Sequence, residues 1–273
     1  MTVEIAVIPC AGSGTRMRPA TRVIPKAMIP VVDRPVIQYV VEEAVACGVS
    51  QIVFVVDERV GNPVMSHFTE GEPIPGLEGV TFTAVSQNVP RGLGDAVLRT
   101  AAVVGEHPFI CLLSDNMFAE PAHAYTRSLI EVFDGRPVVA VREVGGELLD
   151  RYGVVAISGP VVDGVVEVTG AIEKPGVDRA PSSLGIVGRY LFPASVFGVL
   201  SAVDPGHGGE LQLTDAIHRM ALEGGARGRI VDDSLLDIGV PLGLAEATTS
   251  VALARPDLAP AYRAYLQQVL GKP

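Results

Sequence analysis

The first 56 residues constrain the fold most. Glu4-Ile-Ala-Val-Ile8 reads as a buried strand, and Pro9 ends it. A glycine-rich loop follows. Pro35 then opens a helix, at a position that tolerates its missing N–H. Val36, Ile37, Val40, Val41, Ala44 and Val45 recur at helical spacing, and Gly48 closes the helix. Gln51 to Val56 is a second strand. Strand, loop, helix, strand is a βαβ unit, which builds a parallel sheet through a right-handed crossover.

The pattern continues with strands at Val80 to Val85, Phe109 to Leu113 and Pro137 to Val141, and helices at Leu93 to Val104 and Ala122 to Phe133. Phe109-Ile-Cys-Leu-Leu113 is apolar throughout, as in a strand covered on both faces. Between Tyr152 and Tyr190 the texture turns to strands, at Val154 to Ile157, Val165 to Glu173 and Leu184 to Tyr190. Helices return at Ala194 to Val203, Leu211 to Glu223, Pro241 to Ala254 and Pro260 to Leu270. Glycines and prolines crowd Gly61 to Gly79, which reads as a surface excursion. The expectation is an α/β fold: a doubly wound, Rossmann-like, mixed but mostly parallel sheet with an inserted β-rich part.

Composition excludes several functions. The chain has 273 residues, room for one large α/β domain or two small ones. Its formal charge of −10 argues against nucleic acid or an anionic membrane as a general partner, since both need a basic face. No apolar stretch reaches the roughly 20 residues needed to span a bilayer. Met1 to Met17 reads as a first strand rather than a secretion signal. Cys10, Cys47 and Cys111 form neither a disulfide framework nor a zinc spacing, which suits a reducing cytosol.

The strongest local signal is Ala11-Gly12-Ser13-Gly14-Thr15-Arg16, directly after the first strand. Glycines there let backbone N–H groups approach phosphate oxygens. Arg16 adds a charged fork, and Lys26 lies ten residues on. Neither the dinucleotide fingerprint nor the P-loop fits, because Met17 takes the third glycine position and no GK[ST] follows. The loop suits a polyphosphate; a tight turn with exposed basic residues is the plainer alternative. Asp115 follows the buried strand at Phe109 and could serve only as a cap or turn residue; so could Asp237. Glu173-Lys174 could be a solvated ion pair at a hairpin end, and Gln87 a polar residue at a strand end.

Gly12 to Pro35 reads G-S-G-T-R-M-R-P-A-T-R-V-I-P-K-A-M-I-P-V-V-D-R-P and resembles the signature of the sugar nucleotidyltransferases, most closely the bacterial UTP–glucose-1-phosphate uridylyltransferases. Gly92-Leu-Gly94, Tyr152-Gly-Val-Val155, Ile172-Glu-Lys-Pro175, Gly188-Arg-Tyr190, Gly208 to Ile217 and Asp237-Ile-Gly239 follow in family order, so the resemblance covers nearly the whole chain. It implies the nucleotide-diphospho-sugar transferase fold in a single domain, 1–273. Residues 1–142 would mainly bind nucleotide, 143–240 sugar phosphate, and 241–273 would form carboxyl-terminal helices.

The resemblance also implies roles. Ala11, Gly12, Gly14 and Thr15 would lie against the nucleotide, and Gln87 and Gly92 would read the uracil edge. Arg16 and Lys26 would neutralise the triphosphate. Asp115 and Asp237 would hold Mg²⁺, a hard cation that takes carboxylate oxygens and leaves positions for phosphate. Gly153 and Val187 would offer backbone to the sugar ring, Glu173 would accept from its hydroxyls, Lys174 would hold its phosphate, and Glu210 would face the sugar or cap the next helix. UTP and glucose 1-phosphate would be the substrates, and the helix with Tyr262, Tyr265, Leu266 and Leu270 would pack on its own core or join subunits of a homodimer or homotetramer.

Three positions depart from the pattern. Ala27 stands where the family usually has Glu, Asp95 where it usually has His, and Asn116 where a second Asp often follows the strand-end acid. An inward acid at Asp95 would repel phosphate, so it is expected to face elsewhere. The rivals are a glucose-1-phosphate thymidylyltransferase and a nucleotide-sugar-binding regulatory homologue without turnover.

Overall fold

Residue parity along the first strand decides which layer each side chain joins. In the computed structural model, which describes residues 2–58, 62–118, 123–232 and 235–271, Ile5 and Val7 enter one core, Ala6 and Ile8 the other. The strands are β1 (Ile5–Pro9), β2 (Pro30–Val31), β3 (Arg34–Pro35), β4 (Gln51–Val56), β5 (Thr81–Ser86), β6 (Phe109–Leu112), β7 (Asn116–Phe118), β8 (Val138–Glu143), β9 (Gly153–Val162), β10 (Val165–Glu173), β11 (Leu184–Phe192), β12 (Ala226–Ile230) and β13 (Leu235–Asp237). The helices are α1 (Val36–Ala46), α2 (Pro63–Thr69), α3 (Leu93–Leu98), α4 (Ala101–Val104), α5 (His123–Glu131), α6 (Gly176–Arg179), α7 (Val196–Ala202), α8 (Leu213–Gly224), α9 (Pro241–Ala254) and α10 (Ala259–Leu270).

Nine strands share one sheet in the order β5-β4-β1-β6-β11-β8-β12-β10-β9. β5, β4, β1 and β6 run parallel, and β11 opposes β6. β8 and β12 run parallel to each other, β10 opposes β12, and β9 opposes β10. Val154 of β9 also pairs back to Gly185 of β11, which curls that end of the sheet toward closure. Ile37, Val41, Val64 and Leu129, from α1, α2 and α5, pack over one face. Val97, Val104, Leu200 and Ile217, from α3, α4, α7 and α8, pack over the other. Each such aliphatic side chain stabilises the fold by about 1.5–3 kcal/mol.

The chain steps from β1 outward to β4 and β5, then returns to set β6 on the other side of β1. This reversal opens a crevice beyond the carboxyl ends of β1 and β6, where open α/β sheets bind ligands.

The excursion expected from 61 to 79 contains α2; its first residue, 61, lies outside those described. The Asn62 side chain accepts from Met65 N at 3.1 Å as an N-cap. Phe68 stacks on Phe54 and Phe82, so tertiary burial holds a helix in a glycine- and proline-rich segment. The single helix expected at Leu93 to Val104 breaks between α3 and α4. Buried Thr100 turns its hydroxyl onto Val97 O at 2.7 Å there, a bond that competes with helix continuation. The helix expected from Ala122 is described from His123. The sequence pattern carries no sign of β2, β3, β7, β12, β13 or the one-turn α6.

Candidate active site

The β1–β6 crevice is fixed from below. Ser114 Oγ donates to Pro9 O at 2.8 Å, which ties the end of β6 to the end of β1. Asp115 follows at once and is 7% exposed. β7 and β13 pair as a short ribbon, Asp237 opposite Asn116, and Ile238 N donates to Asp115 O at 2.9 Å. Two acids far apart in sequence thus become neighbours. A Cβ at Gly239 would lie 2.5 Å from Asp115 Oδ2, 2.8 Å from Asp237 Oδ1 and 2.9 Å from Arg16 Nη2. Both carboxylates therefore converge on one point that only a glycine leaves open.

Cations surround this point. Lys26 Nζ lies 2.5 Å from Asp115 Oδ2, and Arg16 Nη1 lies 3.6 Å from Asp237 Oδ2. Arg151 Nη2 lies 3.4 Å from that same Asp237 oxygen. Arg151 carried no sequence signal beyond its place before Tyr152-Gly153. Such a donor set suits a hard divalent cation that completes its shell with water and phosphate. Among the described residues no three His, Cys, Asp or Glu side chains cluster as a fuller metal cage.

Two cavities meet here, and both acids line the smaller. One of about 230 Å³ is lined by Ala11, Gly12, Arg22, Lys26, Val56 and Pro90. The other, about 170 Å³, is lined by Arg16, Asp115, Arg151, Glu173, Lys174 and Asp237, among others. Lys26 and Asp115, which touch, belong one to each. A larger cavity of about 560 Å³ shares no lining residue with either.

Gly14 adopts φ 57°, and its missing side chain admits Thr21, whose hydroxyl donates to Gly14 O at 2.7 Å. Thr15 is exposed and lines neither cavity. Burial pushes the Cys10 thiol up to about 12, so this lining cysteine is no nucleophile at neutral pH.

In the second cavity, Glu173 and Gly153 are register partners on β10 and β9. Glu173 Oε2 accepts from Thr214 Oγ1 at 2.6 Å, and Glu173 Oε1 lies 3.0 Å from Lys174 Nζ. Lys174 holds φ 47°, a left-handed strain of about 1 kcal/mol for a non-glycine residue. Val187 buries its side chain in the core between Ile186 and Gly188, which line the cavity, so only its backbone is placed to meet a sugar. Glu210 is a correction. It neither caps α8, whose N-cap is Gln212, nor lines a cavity; its carboxylate accepts from Gln212 Nε2 at 3.3 Å.

The two halves are stitched by backbone. Gly94 N donates to Leu211 O, and Leu211 N to Arg91 O, both at 2.8 Å. Gly92 takes φ 109°, and a Cβ there would lie 2.4 Å from Leu211 O. Gly92→Ala is expected to destabilise the protein by about 3 kcal/mol, through strain and overlap together. Thermal unfolding reads this directly, and an unchanged midpoint would contradict it.

Asp95 faces Gln87 and Arg99 and lines neither cavity. Ala27 is 1% exposed and packed in the core, and Asn116 lines the second cavity.

The profile of the family described as nucleotidyl transferase matches residues 5–253. The UTP–glucose-1-phosphate uridylyltransferase YngB of Bacillus subtilis (strain 168) is 36% identical, over 99% of this chain and 96% of its own. Among solved structures, the UDP-glucose pyrophosphorylase of Acinetobacter baumannii superposes with a TM-score of 0.88 at 31% identity, covering 98% of this chain and 100% of that one. A UDP-glucose pyrophosphorylase complexed with UDP-glucose gives 0.84 at 30% identity, covering 93% and 100%. A family match across most of the length, carried on this crevice of paired acids and basic side chains, has one meaning: the chain belongs to the nucleotidyl transferase family.

Proposed function

We propose that the protein is a Mg²⁺-dependent UTP–glucose-1-phosphate uridylyltransferase, forming UDP-glucose and pyrophosphate. The observation that carries this reading is the pair Asp115 and Asp237, converging beside Gly239 in the smaller cavity, with Lys26 of the neighbouring cavity in contact with Asp115. The names of the full-length relatives supply the substrates. The continuous sheet supports one nucleotidyltransferase domain.

The reaction asks for positioning and charge neutralisation. A phosphate oxygen of glucose 1-phosphate forms the new bond to the α-phosphorus of UTP, and the bond from that phosphorus to the pyrophosphate oxygen breaks. Lys26, Arg16 and the loop at Ala11, Gly12 and Gly14 would hold the triphosphate and stabilise the departing pyrophosphate. Lys174 and Arg151 would hold the sugar phosphate, with Glu173, already oriented by Thr214, on sugar hydroxyls. Gln87 and Gly92 would meet the base. Asp115 and Asp237 would hold Mg²⁺, whose charge neutralises the crowded phosphates when bound. A homodimer or homotetramer fits α10, where Tyr265, Val269 and Leu270 are exposed. No described helix is long and apolar enough to cross a membrane. The compartment proposed is the cytoplasm, where nucleoside triphosphates are at hand.

Pyrophosphate release with glucose 1-phosphate and each of UTP, dTTP and CTP tests the reading. UTP is expected to turn over fastest, with activity abolished by EDTA and restored by Mg²⁺. Faster turnover with dTTP would assign a thymidylyltransferase, and full activity in EDTA would remove the metal from the account.

A further inference from the structure

We propose that Asp95 is a positioning residue for base selection, fixing the Gln87 amide so that it presents its oxygen to bases bearing an imide N–H. This rests on the nucleotide site proposed above and adds how that site would choose its base.

Gln87 follows β5, and its main-chain N–H donates to Val56 O at 2.8 Å. Val56 and Pro90 line the cavity on the glycine-loop side. The Gln87 side chain is nearly buried, so the partners left to its amide matter energetically. Its Nε2 donates to Gly92 O at 3.0 Å and to Asp95 Oδ2 at 2.7 Å. Among the described residues, its Oε1 has no protein partner.

An amide is normally ambiguous between two orientations, and the surrounding hydrogen bonds decide which is present. Here the decision is forced. A main-chain carbonyl only accepts, and an ionised carboxylate only accepts. Arg99 Nε donates to Asp95 Oδ2 at 2.8 Å. Burial raises the Asp95 carboxyl, but hydrogen bonds from Arg99 and Gln87, with the charges of Arg99 and Arg91, bring it below its ordinary value. Asp95 is thus ionised at neutral pH. Turning the amide over would set its oxygen against two acceptors and strand its nitrogen.

The consequence is chemical. The fixed oxygen can only accept. Uracil and thymine carry an N–H at N3, whereas the cytosine N3 is a bare acceptor that the oxygen repels. The device therefore selects imide pyrimidines over cytosine and is indifferent to the thymine methyl. Sites built to bond one polar group reject analogues that cannot supply it.

Calorimetric titration with UTP and with CTP, without sugar phosphate, tests this in the wild type, Asp95→Asn, Gln87→Met and the double variant. The wild type is expected to bind UTP at least about tenfold more tightly. In Asp95→Asn the new side-chain amide can itself turn and donate, so the Gln87 amide is freed to flip. The UTP/CTP ratio should then fall about tenfold, mainly through weaker UTP binding. In the Gln87→Met background, Asp95→Asn should change the ratio no further, because Asp95 acts through Gln87. An unchanged ratio in Asp95→Asn overturns the proposal. So does equal loss of UTP and CTP binding, or an independent effect in the double variant. Strong UTP preference without any turnover would defeat the transferase reading and leave this one standing.

Discussion

Asp115→Asn is expected to lower kcat about a thousandfold, a loss of about 4 kcal/mol in transition-state stabilisation, while the protein stays folded. The substitution keeps the size of the side chain and removes its charge. In the folded protein Asp115 touches Lys26 at 2.5 Å and shares with Asp237 the open point beside Gly239. Neutralising it would leave one carboxylate for the proposed Mg²⁺ and unbalance Lys26. Asn116, next in sequence, does not substitute, because an amide oxygen carries no charge. Steady-state pyrophosphate release measures the loss, with circular dichroism as the folding control. Activity within tenfold of wild type would remove Asp115 from the catalytic centre.

Glu43→Ala is expected to cost about 3–5 kcal/mol of stability and to lower the melting midpoint by about 10 °C. Glu43 and Arg189 are 4% and 1% exposed. Arg189 Nε donates to Glu43 Oε1 at 2.8 Å, and its Nη2 to Glu43 Oε2 at 2.6 Å. Thr126 Oγ1 donates to the same carboxylate at 2.5 Å. Removing the acid strands a cation in the core, which costs far more than the net worth of the pair. Glu43→Leu with Arg189→Met removes both charges and should recover most of the midpoint. Arg189 Nη2 also donates to Asn116 O at 2.9 Å, at the start of the ribbon beside Asp115. The double variant should therefore regain stability before it regains activity. A midpoint within about 3 °C of wild type for Glu43→Ala would contradict this account.

Local pattern made much of the fold legible. Gln51–Val56, Val165–Glu173 and Pro241–Ala254 end where the apolar runs and their breakers place them. The β7–β13 ribbon was illegible because three-residue strands have no period, and Asp237 in isolation looks like a turn acid. β12 reads Ala-Arg-Gly-Arg-Ile and becomes a strand only because the slot between β8 and β10 takes its backbone. The basic residues of the site were visible as types. Arg151 was not, because its partner Asp237 lies 86 positions away. Asp95 stood out as a departure, but its hydrogen bond to Gln87 depends on how α3 returns across the end of β5.

The most direct test of the central claim is ³¹P NMR of the protein with UTP, glucose 1-phosphate and Mg²⁺. The account predicts that the α-, β- and γ-phosphate signals of UTP give way to equal amounts of UDP-glucose and pyrophosphate. Slow hydrolysis of UTP to UMP and pyrophosphate with glucose 1-phosphate untouched, or no change at all, would contradict it.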